Sequence, residues 1–273
     1  MDILIPVLIC LGVALISGVI LTVASKLFGI KEDEKYLQIR DCLPGANCGA
    51  CGYSGCDGYA KALSTGKCTT ANACVPGGDS AAREIASILG VEADDVIEQV
   101  AFVACNGNCE ASKKKFEYIG RQSCRIANMA YNGDKVCTYS CLGYGDCVAV
   151  CPQNAITIEN GVAKVNVVDC IGCGICTRSC PNGIIKLINR TSSVAVACSS
   201  HDKGAVTRKA CTNGCIGCGK CEKTCQHGAI KVENNLAVID YEKCVGCGDC
   251  VRACPVGCIT EQSFVCGEKF TVK

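Results

Sequence analysis

Thirty of the 273 residues are cysteine, and most stand at intervals that suit a metal cluster. Cys170, Cys173, Cys176 and Cys180 are separated by two, two and three residues, with Pro181 next. Cys244, Cys247, Cys250, Cys254 and Pro255 repeat that pattern, and Cys215, Cys218, Cys221 and Cys225 share it with Gln226 in place of the proline. Three thiolates two residues apart can wrap one side of a [4Fe–4S] cubane from a short loop, while the fourth turns towards a neighbouring cluster. Interleaved glycines such as Gly172, Gly174, Gly217, Gly219, Gly246 and Gly248 let the backbone approach and aim its N–H groups at the sulfurs. Zinc sites use separated cysteine pairs without the third and fourth members. Disulfides belong to oxidising compartments.

The crossover of the fourth ligand assigns sets. One cluster falls to Cys215, Cys218, Cys221 and Cys254, and its neighbour to Cys244, Cys247, Cys250 and Cys225. The region is also duplicated: Cys137, Cys141, Cys147, Cys151, Cys170, Cys173, Cys176 and Cys180 each recur 74 residues later, beginning at Cys211 and ending at Cys254. The first copy therefore assigns Cys170, Cys173, Cys176 and Cys151 to one cluster. Its neighbour has Cys141, Cys147 and Cys180, but Tyr144 stands where the second copy has Cys218. Cys137 is the expected substitute, and a three-iron cluster on three thiolates is the alternative. Cys211, the equivalent of Cys137, is present where no ligand is missing.

A separate pattern, Cys48, Cys51, Cys56 and the distant Cys74, suits one further [4Fe–4S] cluster, with zinc as the competitor. The sites predict at least five clusters. Ten cysteines lie outside them: Cys10, Cys42, Cys68, Cys105, Cys109, Cys124, Cys198, Cys211, Cys258 and Cys266. Of these, Cys105, Cys109, Cys124, Cys198 and Cys211 offer a sixth cluster between the copies; the other reading is buried free thiols.

These ligands need elements to position them. Residues 3 to 25 carry no charge and would span roughly 34 Å as a helix, enough for a hydrocarbon core of about 30 Å. A signal peptide would need a basic start and a shorter apolar run. Lys26, Lys31 and Lys35 follow the run and no lysine precedes it. The expected arrangement is a single-pass anchor in the cell membrane with the cysteine-rich domains on the cytoplasmic side, where thiols stay reduced. "GGDSAAREIASILGV" reads as a helix with Asp79 or Ser80 as its cap. "QVAFVAC" and "SSVAVAC" lead the two copies, offset by 93 residues, so the first copy carries a 19-residue insertion around "ASKKKFEYIGRQSCRIANM". "AITIENGVAKVN" and "AIKVENNLAVID" alternate around Asn-Gly and Asn-Asn, as hairpins do. The fold expected is α+β. It comprises a transmembrane anchor (1–28), a four-cysteine domain (29–95), and two ferredoxin-like dicluster units of βαβ type (96–190 and 191–273). With 27 basic and 26 acidic residues, nothing suggests nucleic acid. The run Lys113, Lys114, Lys115 reads as a solvated face, with docking of an acidic ferredoxin as its alternative. His201 and His227 read as solvated.

An apolar helix, then "LPGANCGACGYSGCDGYA", then tandem cluster motifs including "CLGYGDC", resembles the B subunit of the Rnf complex, the membrane-bound, ion-translocating ferredoxin:NAD+ oxidoreductase. The resemblance covers essentially the whole chain, and the Cys48-to-Cys74 element beside a membrane helix is its most specific part. It implies an electron carrier that takes electrons from soluble reduced ferredoxin to membrane and NAD-binding partner subunits. The residues agree: there is no GxGxxG after a strand, no flavin motif, no second membrane span, and no catalytic acid, base or nucleophile to nominate. The rival readings are a polyferredoxin component of another membrane oxidoreductase and a membrane-anchored redox sensor. A sensor needs an output domain, which the sequence does not offer.

Overall fold

The computed structural model describes residues 4–28, 33–92 and 94–261. Cys266 and Lys31 lie outside the described residues, as do the side chains of Cys10 and Lys26. The first helix, α1 (Leu4–Phe28), is 25 residues long. Its described side chains, Val7 and residues 11–24, are nearly all exposed. Across the described residues no helix is long and apolar enough to cross a membrane.

A small helical unit follows. Asp33 starts α2 (Glu34–Asp41), its carboxylate accepting from the Lys35 amide at 3.2 Å. α3 (Cys56–Ser64) and α4 (Gly78–Leu89) complete it. Their packing faces are short apolar stripes: Ile39, Tyr59, Leu63 and Ile85 meet in one core and are almost fully buried. The Tyr59 hydroxyl reaches the Thr70 carbonyl at 2.6 Å, so the ring is buried without an orphaned polar tip. Neither Asp79 nor Ser80 caps α4. The Asp79 carboxylate accepts instead from the Val96 amide at 2.7 Å, tying the helix to the chain that leaves it.

Two equivalent units occupy the rest. The first holds β1 (Gln99–Val103), α5 (Cys124–Met129), α6 (Asp146–Ala149), β2 (Ile156–Glu159), β3 (Val162–Val165), α7 (Ile175–Ser179) and β4 (Ile185–Asn189). The second holds β5 (Val194–Val196), α8 (Gly204–Ala210), α9 (Lys220–Thr224), β6 (Ile230–Glu233), β7 (Leu236–Ile239), α10 (Asp249–Ala253) and β8 (Ile259–Glu261). The parallel βαβ crossover expected from sequence is not what forms. Among the described residues the four sheets are all two-stranded and antiparallel: β1 with β4, β2 with β3, β5 with β8, β6 with β7. The last strand of each unit returns after the second cysteine loop and closes on the leading strand. The hairpins are as expected, with Asn160-Gly161 and Asn234-Asn235 at the turns, all four at positive φ. That matches the right-handed twist of a two-residue hairpin.

Each unit's core is thin and aliphatic. Ile156, Val162, Ala163, Ile184 and Ile185 form the first, and Ile230, Leu236, Ala237 and Ile259 the second. Buried cysteines are built into both. Cores of this size in chains rich in ligand residues draw much of their stability from what the ligands bind.

Candidate metal centres

Four cavities are lined by cysteine quartets. One holds Cys151, Cys170, Cys173 and Cys176 in about 340 Å³ of space, mouth included. A second holds Cys225, Cys244, Cys247 and Cys250 in about 360 Å³. A third holds Cys215, Cys218, Cys221 and Cys254, with Cys258 beside them, in about 300 Å³. The fourth, about 340 Å³, is lined by Cys141, Cys147, Cys180 and Cys124.

The same local device builds all four. A loop ends in a left-handed glycine, Gly145, Gly174, Gly219 or Gly248, and a short helix starts there with a cysteine in its first turn. An earlier glycine in the loop makes the close approach. A Cβ on Gly172 would sit 2.3 Å from the Gln99 carbonyl oxygen, and one on Gly143 would sit 2.6 Å from that of Gly161. Gly172 also has φ +66. Gly172→Ala is therefore expected to cost about 1–3 kcal/mol. Measured as iron loss to a chelator, that corresponds to release at least roughly five times faster at this site. An unchanged release rate would show that the loop yields without strain.

The fourth cysteine lining the cavity of the first unit's irregular site is Cys124. Cys137, expected there, does not line the cavity. The reason is the insertion. Asp146, at the start of α6, accepts from the Ser123 hydroxyl (3.0 Å) and the Arg125 amide (2.9 Å). These bonds seat the start of α5, and with it Cys124, at the cavity. Tyr144 does not line the cavity and packs instead beside Cys124 with Tyr118, Ala127 and Leu142. Burial, together with the nearby Asp134 carboxylate, pushes the Tyr144 hydroxyl up to about 12. The Cys137 thiol instead neighbours those of Cys105, Cys198 and Cys211.

Cys48, Cys51, Cys56 and Cys74 gather in the small helical unit, where Cys74 feels the other three. Asn47 holds the loop shut by accepting from the Cys56 amide at 2.9 Å. Of the other cysteines, Cys42 and Cys68 pack against this core, and Cys109 is exposed beside the Gly161 hairpin tip. His201 is exposed against the Asn234 carbonyl, while His227 lines the Cys244 cavity. Lys114 pairs with Asp134 at 3.1 Å and Lys115 bonds the Tyr131 carbonyl at 2.7 Å, so two of the three lysines are engaged.

Burial dominates the thiol electrostatics. It pushes Cys147 up to about 12, and Cys74, Cys141, Cys176 and Cys221 up to about 11. Cys254 departs from this, because its sulfur shares a hydrogen bond with that of Cys258 (3.6 Å), which holds it down at about 5. The donor set fits iron–sulfur clusters. Every cysteine with a described side chain is a free thiol. Backbone amides point at the sulfurs: Ala101 to Cys170 (3.4 Å), Ala155 to Cys151 (3.3 Å) and Ala163 to Cys141 (3.4 Å). Among the described residues no three metal-binding groups close on a single ion; the thiols stand around open cavities instead.

Comparison with known proteins agrees with this chemistry. A family described as an Fe-S cluster domain matches residues 43–76, and 4Fe-4S dicluster domain families match residues 136–185, 169–230 and 214–258. The chain is 46% identical to the B subunit of the Na(+)-translocating ferredoxin:NAD(+) oxidoreductase complex of Acetobacterium woodii, over 88% of this chain and 72% of the relative. It is 43% identical to the proton-translocating counterpart of Clostridium ljungdahlii, over 84% and 81%. With the B subunit of the ion-translocating oxidoreductase complex of Methanosarcina acetivorans it shares 42%, over 88% and 90%.

Proposed function

Because this chain belongs to the family of B subunits of ion-translocating ferredoxin:NAD+ oxidoreductase complexes, we propose that its cysteine quartets form a linear electron path from reduced ferredoxin to the other subunits. It is the iron–sulfur electron-transfer subunit of such a complex. The clusters supply one-electron redox chemistry. The chain's own residues hold them, exclude water and set their spacing.

Five sites carry the reading. The ligand sets are Cys48, Cys51, Cys56 and Cys74; Cys151, Cys170, Cys173 and Cys176; Cys124, Cys141, Cys147 and Cys180; Cys215, Cys218, Cys221 and Cys254; and Cys225, Cys244, Cys247 and Cys250. The observation that carries it is the convergence of four thiols on each of four cavities. The order along the path follows from adjacency. Arg178 donates to the Cys48 carbonyl at 2.7 Å, and the Cys173 thiol feels Cys48, so the small helical unit abuts the Cys170 site. The far end is the Cys244 site, where Cys247 and Val245 are exposed. In the domain division we favour, 1–28 is an anchor, 29–95 the four-cysteine domain, and 96–190 and 191–273 the dicluster units. The uncharged run 3–25 supports a single membrane span, and Lys26, Lys31 and Lys35 support a cytoplasmic position for the clusters.

Anaerobically purified protein is expected to contain at least about 20 iron atoms per chain and matching sulfide. Reduced ferredoxin should bleach its visible absorption. Iron near eight would remove the tandem arrangement, and no bleaching by ferredoxin would remove the donor assignment.

A further inference from the structure

Four cysteines outside the five sites meet between the two dicluster units: Cys105, Cys137, Cys198 and Cys211. All four are buried. Gly107 packs between two of them, since a Cβ there would lie 3.4 Å from the Cys211 sulfur and 3.5 Å from that of Cys105. Cys137 neighbours the remaining three, and Cys198 neighbours Cys105.

The arrangement is symmetric between the copies. Cys105 accepts from the amides of Gly107 (3.4 Å) and Cys141 (3.3 Å). Cys198 accepts from Ser200 (3.5 Å) and Cys215 (3.3 Å), the equivalent positions of the second copy. Each copy thus offers one cysteine after its leading strand and one four residues before its first motif cysteine. Buried thiols that merely fill space need no such donors, because a thiol packs as a small apolar group. Here the Cys105 and Cys198 sulfurs each have two amides aimed at them, as Cys141, Cys151 and Cys170 each have one at the motif sites. Hydrogen bonds across the seam fix the two halves: Asn106 to the Ala197 carbonyl (3.0 Å), the Ser199 hydroxyl to the Ala104 carbonyl (2.8 Å), and the Asn213 side chain to the Asn106 carbonyl (3.0 Å). The ammonium of buried Lys135 bonds the Gly107 carbonyl at 3.0 Å, placing a positive charge beside the sulfurs.

We propose that Cys105, Cys137, Cys198 and Cys211 bind a sixth [4Fe–4S] cluster, shared equally by the two dicluster units, which joins their otherwise separate cluster pairs. The site deepens the electron-path reading and rests on it. On one side it adjoins the Cys141 site, through the Cys141 amide on Cys105. On the other it adjoins the Cys215 site, through the Cys215 amide on Cys198. Held there, the cluster would take one electron from its neighbour on one side and pass that same electron to its neighbour on the other, with no net change at the seam. The site also gives Cys211 a role that needs no missing ligand in its own copy.

The test is iron content and the integrated spin count of the fully reduced, full-length protein, purified anaerobically. Wild type is expected to hold about 24 iron atoms per chain. Cys198→Ala and Cys211→Ala should each lose about four iron atoms and the matching spin intensity, while the other signals persist and Cys42→Ala retains all of them. A wild-type count of about 20, or Cys211→Ala keeping its full iron and spin count, overturns the proposal. If a variant instead loses all its iron by unfolding, the wild-type count decides between 24 and 20. Failure of the five-site reading looks different, with wild type well below 20.

Discussion

The double variant Cys124→Ala/Cys137→Ala is expected to lose about eight iron atoms per chain, and each single variant about four. Spacing alone makes Cys137 the substitute for the ligand lost at Tyr144, in which case the two cysteines compete for one site. Two ligands of one cluster would make the double variant no worse than the singles. Two ligands of different clusters make the losses add, as independent sites do. The geometry favours addition, because Cys124 lines the cavity with Cys141, Cys147 and Cys180 while Cys137 faces Cys105, Cys198 and Cys211. Alanine is the replacement because a serine oxygen can still ligate iron. A double variant that loses only four iron atoms returns Cys137 to the irregular site.

The second large effect concerns Lys135, which is 2% exposed and bonds the carbonyls of Gly107 (3.0 Å) and Gly161 (2.9 Å). Its charge opposes burial at both Cys141 and Cys211. Reducing a cluster adds a negative charge, so a nearby ammonium favours reduction. One unit charge roughly 10 Å away, at an effective dielectric of about 20, is worth about 1.7 kcal/mol. For a one-electron couple that is about 70 mV. Lys135→Met is expected to lower the midpoint potential of at least one adjacent cluster by this order, read by a potentiometric titration followed by EPR. Potentials within a few millivolts of wild type would mean that solvent screens the charge. The two carbonyls left without a donor should also lower stability by about 1–3 kcal/mol each.

The regular motifs were legible because their ligands are local. Two-residue spacing and a loop glycine suffice to recognise Cys170, Cys173 and Cys176, and the crossover of Cys151 and Cys254 follows from the repeat. The hairpins were legible from Asn-Gly and Asn-Asn. Cys124 was not, since it lies in the inserted segment, and Cys198, the cysteine that stands equally far before Cys215, belongs to the leading-strand segment that aligns with Cys105. A signal did exist. The inserted segment contains one cysteine, and the copy that carries the insertion is the copy that lacks a motif ligand. Insertion and loss compensate each other. The quartet on the seam was only half visible, as a set of leftover cysteines from which Cys137 was missing and to which Cys109 and Cys124 did not belong. Its members lie on four loops that converge only when β1 and β5 are docked. Antiparallel closure of each unit was missed for a similar reason, because pairing across 82 to 90 residues in the first unit and 63 to 67 in the second leaves no local trace.

The seam has a mechanical side as well. Cys105 and Cys198 are 93 residues apart in the chain, and ligands from both halves on one cluster would close that loop as a cross-link does. For a disulfide closing roughly 100 residues, the entropy taken from the unfolded chain is worth about 4.7 kcal/mol. A cluster is a cross-link that oxygen can dissolve. Oxidative damage at the seam would then open the joint between the halves, and proteases should cut near residues 190–193 in air-exposed protein sooner than in protein kept anaerobic.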